Sequence, residues 1–152
     1  MRLLTAFAIL CLLSTPALAA EGAEFPFRAD SGLTKAEAQL GEGKYMQALD
    51  TLGNVLKRHP ADADALTYTG YAWYKLGEAK KAALHFDRAL KYNPKHQGAN
   101  KYKADILLDN GDFQMAMEQM QVLRMICGSM HCAELDALQS KMNAHQAGKK
   151  GG

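Results

Sequence analysis

The chain has 152 residues, 48% hydrophobic and 22% charged, with a formal net charge of +2. These values fit one folded domain and exclude an intrinsically disordered chain. A balance this close to neutral also speaks against nucleic acid as partner, since phosphate binding needs a concentrated basic face. Beyond the N-terminus no apolar run reaches the roughly 18 residues that a membrane-spanning helix requires.

In chain order the first element is an export signal. Arg2 precedes an apolar run from Leu3 to Leu13, Ser14 to Pro16 breaks it, and Ala17-Leu18-Ala19 supplies a small-x-small cleavage pattern. A signal peptide is expected over 1–19, with Ala20 as the alternative cleavage point. The protein is therefore expected in the periplasm or secreted, with no membrane insertion after cleavage. Leu10 before Cys11 argues against a lipid-anchored cysteine. Residues 20–28 show no period and read as a flexible leader.

From residue 29 onward the sequence repeats. Gly43, Gly77 and Gly111 are spaced by 34, as are Ala48, Ala82 and Ala116, and Pro60 and Pro94 keep the interval, with Gly128 in third place. Each unit reads as two helices of about 13 residues joined at the glycine, which tolerates the positive φ of a tight helix end. Helix-period apolar positions follow, Leu49, Leu52, Val55 and Leu56 in the first unit and Leu84, Phe86, Ala89 and Leu90 in the second. Proline then stops the second helix. Units are expected at 29–62, 63–96 and 97–130, a capping helix at 131–147 and a disordered tail at 148–152.

This pattern resembles the tetratricopeptide repeat. In the middle unit Gly70, Trp73, Gly77, Ala82, Phe86, Ala89 and Pro94 stand at the family's columns. The first unit departs with Ala36 and Gln39, the third with Ala104, Leu107, Leu123 and Gly128. The resemblance implies an all-α, right-handed superhelical solenoid whose first helices line a concave channel for a partner's peptide or helix. Carried over column by column, the channel residues are Thr67, Tyr71, Tyr74, Lys75, Lys101, Tyr102, Asp105, Leu108 and Asp109, with Glu37 and Leu40 from the first unit and Tyr68 at the edge. The family's carboxylate-gripping clamp is absent, since its columns hold Leu33, Glu37, Tyr68, Gly98 and Tyr102.

Chemistry is sparse. There is no phosphate loop, nucleophile elbow or zinc-protease pair, so neither an enzyme nor a cofactor is expected. Signal cleavage leaves Cys127 and Cys132, read as a disulfide that staples the last unit to the cap. A redox-active pair, or a metal site with His131, is the alternative. The histidines read as scattered surface residues, and Met115, Met117, Met120, Met125 and Met130 as adaptable core. Lys80, Lys81, Arg88, Lys91 and Lys95 read as a solvated convex face, with an anionic surface as the alternative partner. The favoured function is an exported, non-enzymatic adaptor or assembly factor that binds protein; self-association through the solenoid ends, giving a homo-oligomer, is the structural alternative.

Overall fold

The computed structural model describes residues 30–129 and 132–150, apart from the side chains of 149 and 150. The expected signal peptide and leader therefore lie outside the described residues, as do Met130, His131 and 151–152. Seven helices and no strand occur among the described residues: α1 (Ser31–Gly41), α2 (Tyr45–Arg58), α3 (Ala63–Lys75), α4 (Ala79–Tyr92), α5 (Gln97–Asp109), α6 (Phe113–Cys127) and α7 (Ala133–Lys150). They form hairpin pairs stacked into the all-α, right-handed superhelix.

Local chemistry sets the helix ends. The Asp62 carboxylate accepts from the Ala65 N–H, and His96 Nδ1 accepts from the Ala99 N–H, one repeat later. These side chains satisfy N–H groups that have no partner inside the helix. His96 is thus a built cap rather than a scattered surface histidine. Asp30 caps α1 through the Gly32 N–H, two residues later than strict register, so α1 begins at Ser31 rather than 29. At the other end Gly43, Gly77 and Gly111 have φ of 73°, 81° and 84°. Each donates to a carbonyl three residues back, and the next residue donates to one five back, as from Lys44 N to Gln39 O. This paired bond closes the helix only when the residue between adopts left-handed geometry, which is why glycine recurs there.

The core consists of three apolar clusters, and each spans the boundary between units. Ala36, Leu40, Ala48, Leu52 and Val55 of the first hairpin share a cluster with Ala65 and Ala72 of α3. Leu66, Ala82, Phe86 and Ala89 of the second pack with Ala99 and Ile106 of α5. Ala104, Leu108, Ala116, Met120, Leu123 and Cys127 of the third pack with Cys132, Leu138 and Met142 of α7. No hairpin closes its own core, so stacking is what removes apolar surface from water.

Two columns show how the stack ends. Residues 36, 70, 104 and 138 hold Ala, Gly, Ala and Leu, all buried. In the hairpins a small residue lets the second helix approach, as Phe86 does at Gly70. In α7, where no further helix follows among the described residues, leucine fills the space. Residues 56, 90 and 124 hold Leu, Leu and Arg. Leu56 and Leu90 pack into the clusters, whereas Arg124 is exposed and places a charge where another hairpin would dock.

α7 continues to Lys150, so residues 148–150 are helical where a tail was expected; nothing after Ala133 stops a helix except Gly148. Of the expected core methionines, Met120 is buried but Met115, Met117 and Met125 are exposed. Cys127 and Cys132 join the end of α6 to the start of α7 in a disulfide, with Cα atoms 5.8 Å apart. Closing so short a loop constrains the unfolded chain by about 2 kcal/mol. Reduction, or Cys127→Ser with Cys132→Ser, is expected to lower stability by about that amount. Hydrogen exchange should show α7 losing protection first; uniform loss along the chain would assign the bond no local role.

Candidate binding channel

The first helices α1, α3 and α5 line one side of the solenoid, and α7 packs against α5 as the next in that series. Along this side runs a chain of aromatic rings. Tyr45 meets Tyr71 edge-on at 6.4 Å, Tyr71 meets Tyr102 at 5.0 Å, and Tyr102 meets Tyr74 at 6.5 Å and stacks on Phe86 at 5.6 Å. Rings in such contact hold one another rigid, and the tyrosines among them carry polar tips.

Two open depressions flank this ladder. The larger, about 620 Å³, lies where the first helices begin and is lined by Asp64, Thr67, Tyr68, His96, Lys101 and Tyr102, with Ala133, Glu134 and Ala137 of α7 as its far wall. The smaller, about 420 Å³, is bounded by Tyr74, Lys75, Ile106 and Asp109. His96 spans the rim of the first. Its Nδ1 accepts the capping bond, so Nε2 carries the proton toward Asp64 Oδ1 at 2.8 Å, with Thr67 Oγ1 at 3.4 Å.

An ion-pair network forms the floor. Asp105 is 3% exposed; Lys101 stands 2.7 Å from one carboxylate oxygen and Lys141 of α7 is 3.5 Å from the other. Lys141 also pairs with Asp109 at 2.8 Å and donates to the Tyr74 hydroxyl, which in turn donates to Asp109. Burial alone would raise the Asp109 pKa, but bonds from Lys141 and Tyr74 outweigh it and hold the carboxyl below its usual range. Burial alone would lower Lys141, yet Asp109 and Tyr74 hold it above the ordinary lysine value. Both shifts keep this contact charged: Asp109 loses its contribution only as pH falls below the usual carboxylate value of 3.8, and Lys141 only above 10.5.

The expected channel residues divide. Tyr71, Tyr74, Lys75, Lys101 and Tyr102 lie on or beside the ladder. Thr67 and Asp105 are 2% and 3% exposed; Asp105 lies in the floor, and Thr67, in the wall of the larger depression, bonds its own helix at the Ala63 carbonyl. Leu108 is a correction: it is fully buried in the cluster beneath α7 and offers a ligand nothing. Leu40 is core as well. Sequence reasoning missed Lys141, Glu134 and the His96–Asp64 pair. Only the 34-residue interval between Asp62 and His96 could have marked the last as a cap.

Burial, with the charges of Asp105 and Glu134 adding to it, pushes Tyr102 up to about 12. The folded state keeps this phenol protonated longer than the unfolded chain does. Its contribution is complete below about pH 10 and is lost as pH rises from 10 to 12. Alkaline titration followed by tyrosinate absorbance should show one of the tyrosines ionising last, together with unfolding. In Tyr102→Phe that late step should disappear; its persistence would remove the assignment.

These observations define a class, a helical-repeat solenoid with a ring-lined concave channel and a capped end. The family model for the tetratricopeptide repeat matches residues 33–91 and 79–124, and the chain belongs to that family. A tetratricopeptide repeat and J domain-containing co-chaperone, DNJ1 of Fusarium oxysporum f. sp. lycopersici, is 29% identical over 79% of this chain, which spans 23% of that protein's length. The fold is similar to the Sgt2 TPR domain of Aspergillus fumigatus, with a TM-score of 0.69 at 20% identity, covering 81% of this chain and 82% of that one. It is also similar to SycD, a type III secretion chaperone of Yersinia enterocolitica solved with a peptide of the translocator YopD. That match has a TM-score of 0.65 at 16% identity and covers 78% and 92% of the two chains.

Proposed function

We propose that the protein is an exported, non-enzymatic interaction module that holds an extended peptide or helix of a partner protein along the tyrosine ladder. The carrying observation is that ladder, with an open depression on either side. Rigid rings with polar tips give contact area at little cost in side-chain entropy. The SycD structure with a YopD peptide supports the reading from a similar fold. The floor narrows the ligand. Lys101 and Lys141 are already neutralised by Asp105 and Asp109, so the channel favours apolar and hydrogen-bonding side chains over a carboxylate. Export rests on the N-terminal signal pattern, and the Cys127–Cys132 bond suits an oxidising compartment.

A photocrosslinking side chain at Tyr68, on the channel, is to be compared with one at Gln121 on the exposed side of α6. In envelope extract a discrete partner should be captured from position 68 only, and excess peptide from the identified partner should displace it. Equal capture from both positions, or capture only of the chain itself, overturns the channel reading.

A further inference from the structure

The outward face of α4 carries a pattern that the repeat does not require. Lys80, Leu84, Arg88 and Lys91 follow at intervals of four, four and three, which places them on one stripe of the helix. Ala82, Phe86 and Ala89 occupy the opposite stripe and are fully buried, so the first stripe faces away from the solenoid. Leu84, at its centre, is 60% exposed, and the one acid on the stripe, Asp87, is paired with Lys103 of α5 at 2.8 Å. Among the described residues Lys80, Arg88 and Lys91 make no ion pair. Lys81 beside them pairs with Glu78 and lies over the Trp73 ring, 4.3 Å from its centroid.

The neighbouring units act as an internal control. The same columns hold Met46, Asp50, Asn54 and Lys57 in α2, and Gln114, Glu118, Val122 and Met125 in α6. Packing accepts all of these, so it does not ask for cations. Only the middle unit gathers them. On either side α2 and α6 present Met46, Met115 and Met125, each more than half exposed.

We propose that the outward face of α4 docks the protein peripherally on a bilayer rich in anionic phospholipid. The unpaired cations are drawn to the negative surface, each strengthening binding about fivefold. Leu84 enters the headgroup boundary between them while the lysine stems cover apolar area and keep their charges in water. An acidic partner helix would need a contiguous apolar groove. Here the apolar side chains stand singly on three helices, and Leu84, Met115 and Met125 line neither channel depression. A fluid surface receives single side chains wherever they stand. No helix among the described residues is long and apolar enough to cross a membrane, so the contact is a surface one and leaves the channel free.

The test is flotation of the folded chain with vesicles of phosphatidylglycerol and phosphatidylcholine in equal parts, at low salt, beside vesicles of phosphatidylcholine alone. The parent should float with the anionic vesicles and detach as salt rises. Lys80→Gln with Arg88→Gln and Lys91→Gln should weaken partitioning about 100-fold, and Leu84→Ser several-fold. A control of equal charge change, Lys35→Gln with Lys44→Gln and Arg124→Gln, should change it less than about threefold. The proposal is overturned if the parent stays unbound, binds neutral vesicles equally, or loses as much in the control. It is also overturned if soluble polyglutamate strips it from the vesicles while Leu84→Ser has no effect, which would assign the face to an acidic protein. None of these readouts depends on the peptide channel.

Discussion

Gly70→Ala is expected to destabilise the protein by about 1–3 kcal/mol, and Gly70→Val by more. A Cβ at Gly70 would stand 2.5 Å from the Phe86 ring, and that ring is fully buried with nowhere to retreat. Phe86→Ala alone should cost about 3–5 kcal/mol through the cavity it leaves. Because the two side chains claim the same space, the double variant should be more stable than the sum of the singles by about 0.5–3 kcal/mol. Chemical denaturation of the four proteins measures this coupling directly. Strict additivity would mean that the ring relaxes elsewhere and that the close approach of α3 and α4 is not what selects glycine.

The second large effect belongs to the channel floor. Lys101→Met should cost about 2–3 kcal/mol, because it leaves the Asp105 carboxylate buried with only the more distant Lys141. Asp105→Asn should cost less, since it removes the charge that needs a partner and frees Lys101, which reaches solvent, while Lys141 keeps its pair with Asp109. If Asp105→Asn proves the worse of the two, the carboxylate is stabilising the cations and the argument from desolvation fails. Thermal melts at neutral pH decide it.

How much of this was readable in advance depended on whether a feature repeats. Gly43, Gly77 and Gly111 answer the same backbone requirement three times, as Ala48, Ala82 and Ala116 answer the same packing requirement. The helices and their pairing followed from those columns. In the channel floor Tyr74, Lys101, Asp105 and Asp109 fell on such columns, but Lys141 left no such trace. Lys141 reaches Tyr74 across 67 residues and Asp105 across 36, and one long-range contact made once has no period. Leu108 was misplaced for a different reason. Adjacent helix positions differ by about 100° of rotation, so channel and core are neighbours in register: Asp109 borders the channel while Leu108 lies beneath it. The length of α7 was missed because helix C-termini without a proline carry little local signal.

The sharing of each apolar cluster between neighbouring units bears on how the molecule would respond to mechanical load. Pulled by its two ends, the solenoid presents no single strong clamp; detaching one hairpin bares half of the next cluster and weakens what remains. Force should therefore peel the array stepwise in small, similar events. The exception is the C-terminal junction, where the bond between Cys127 and Cys132 ties α6 to α7. There the bond withholds only the short stretch between the two cysteines from extension, and a reductant should lengthen the last step by about 11 Å.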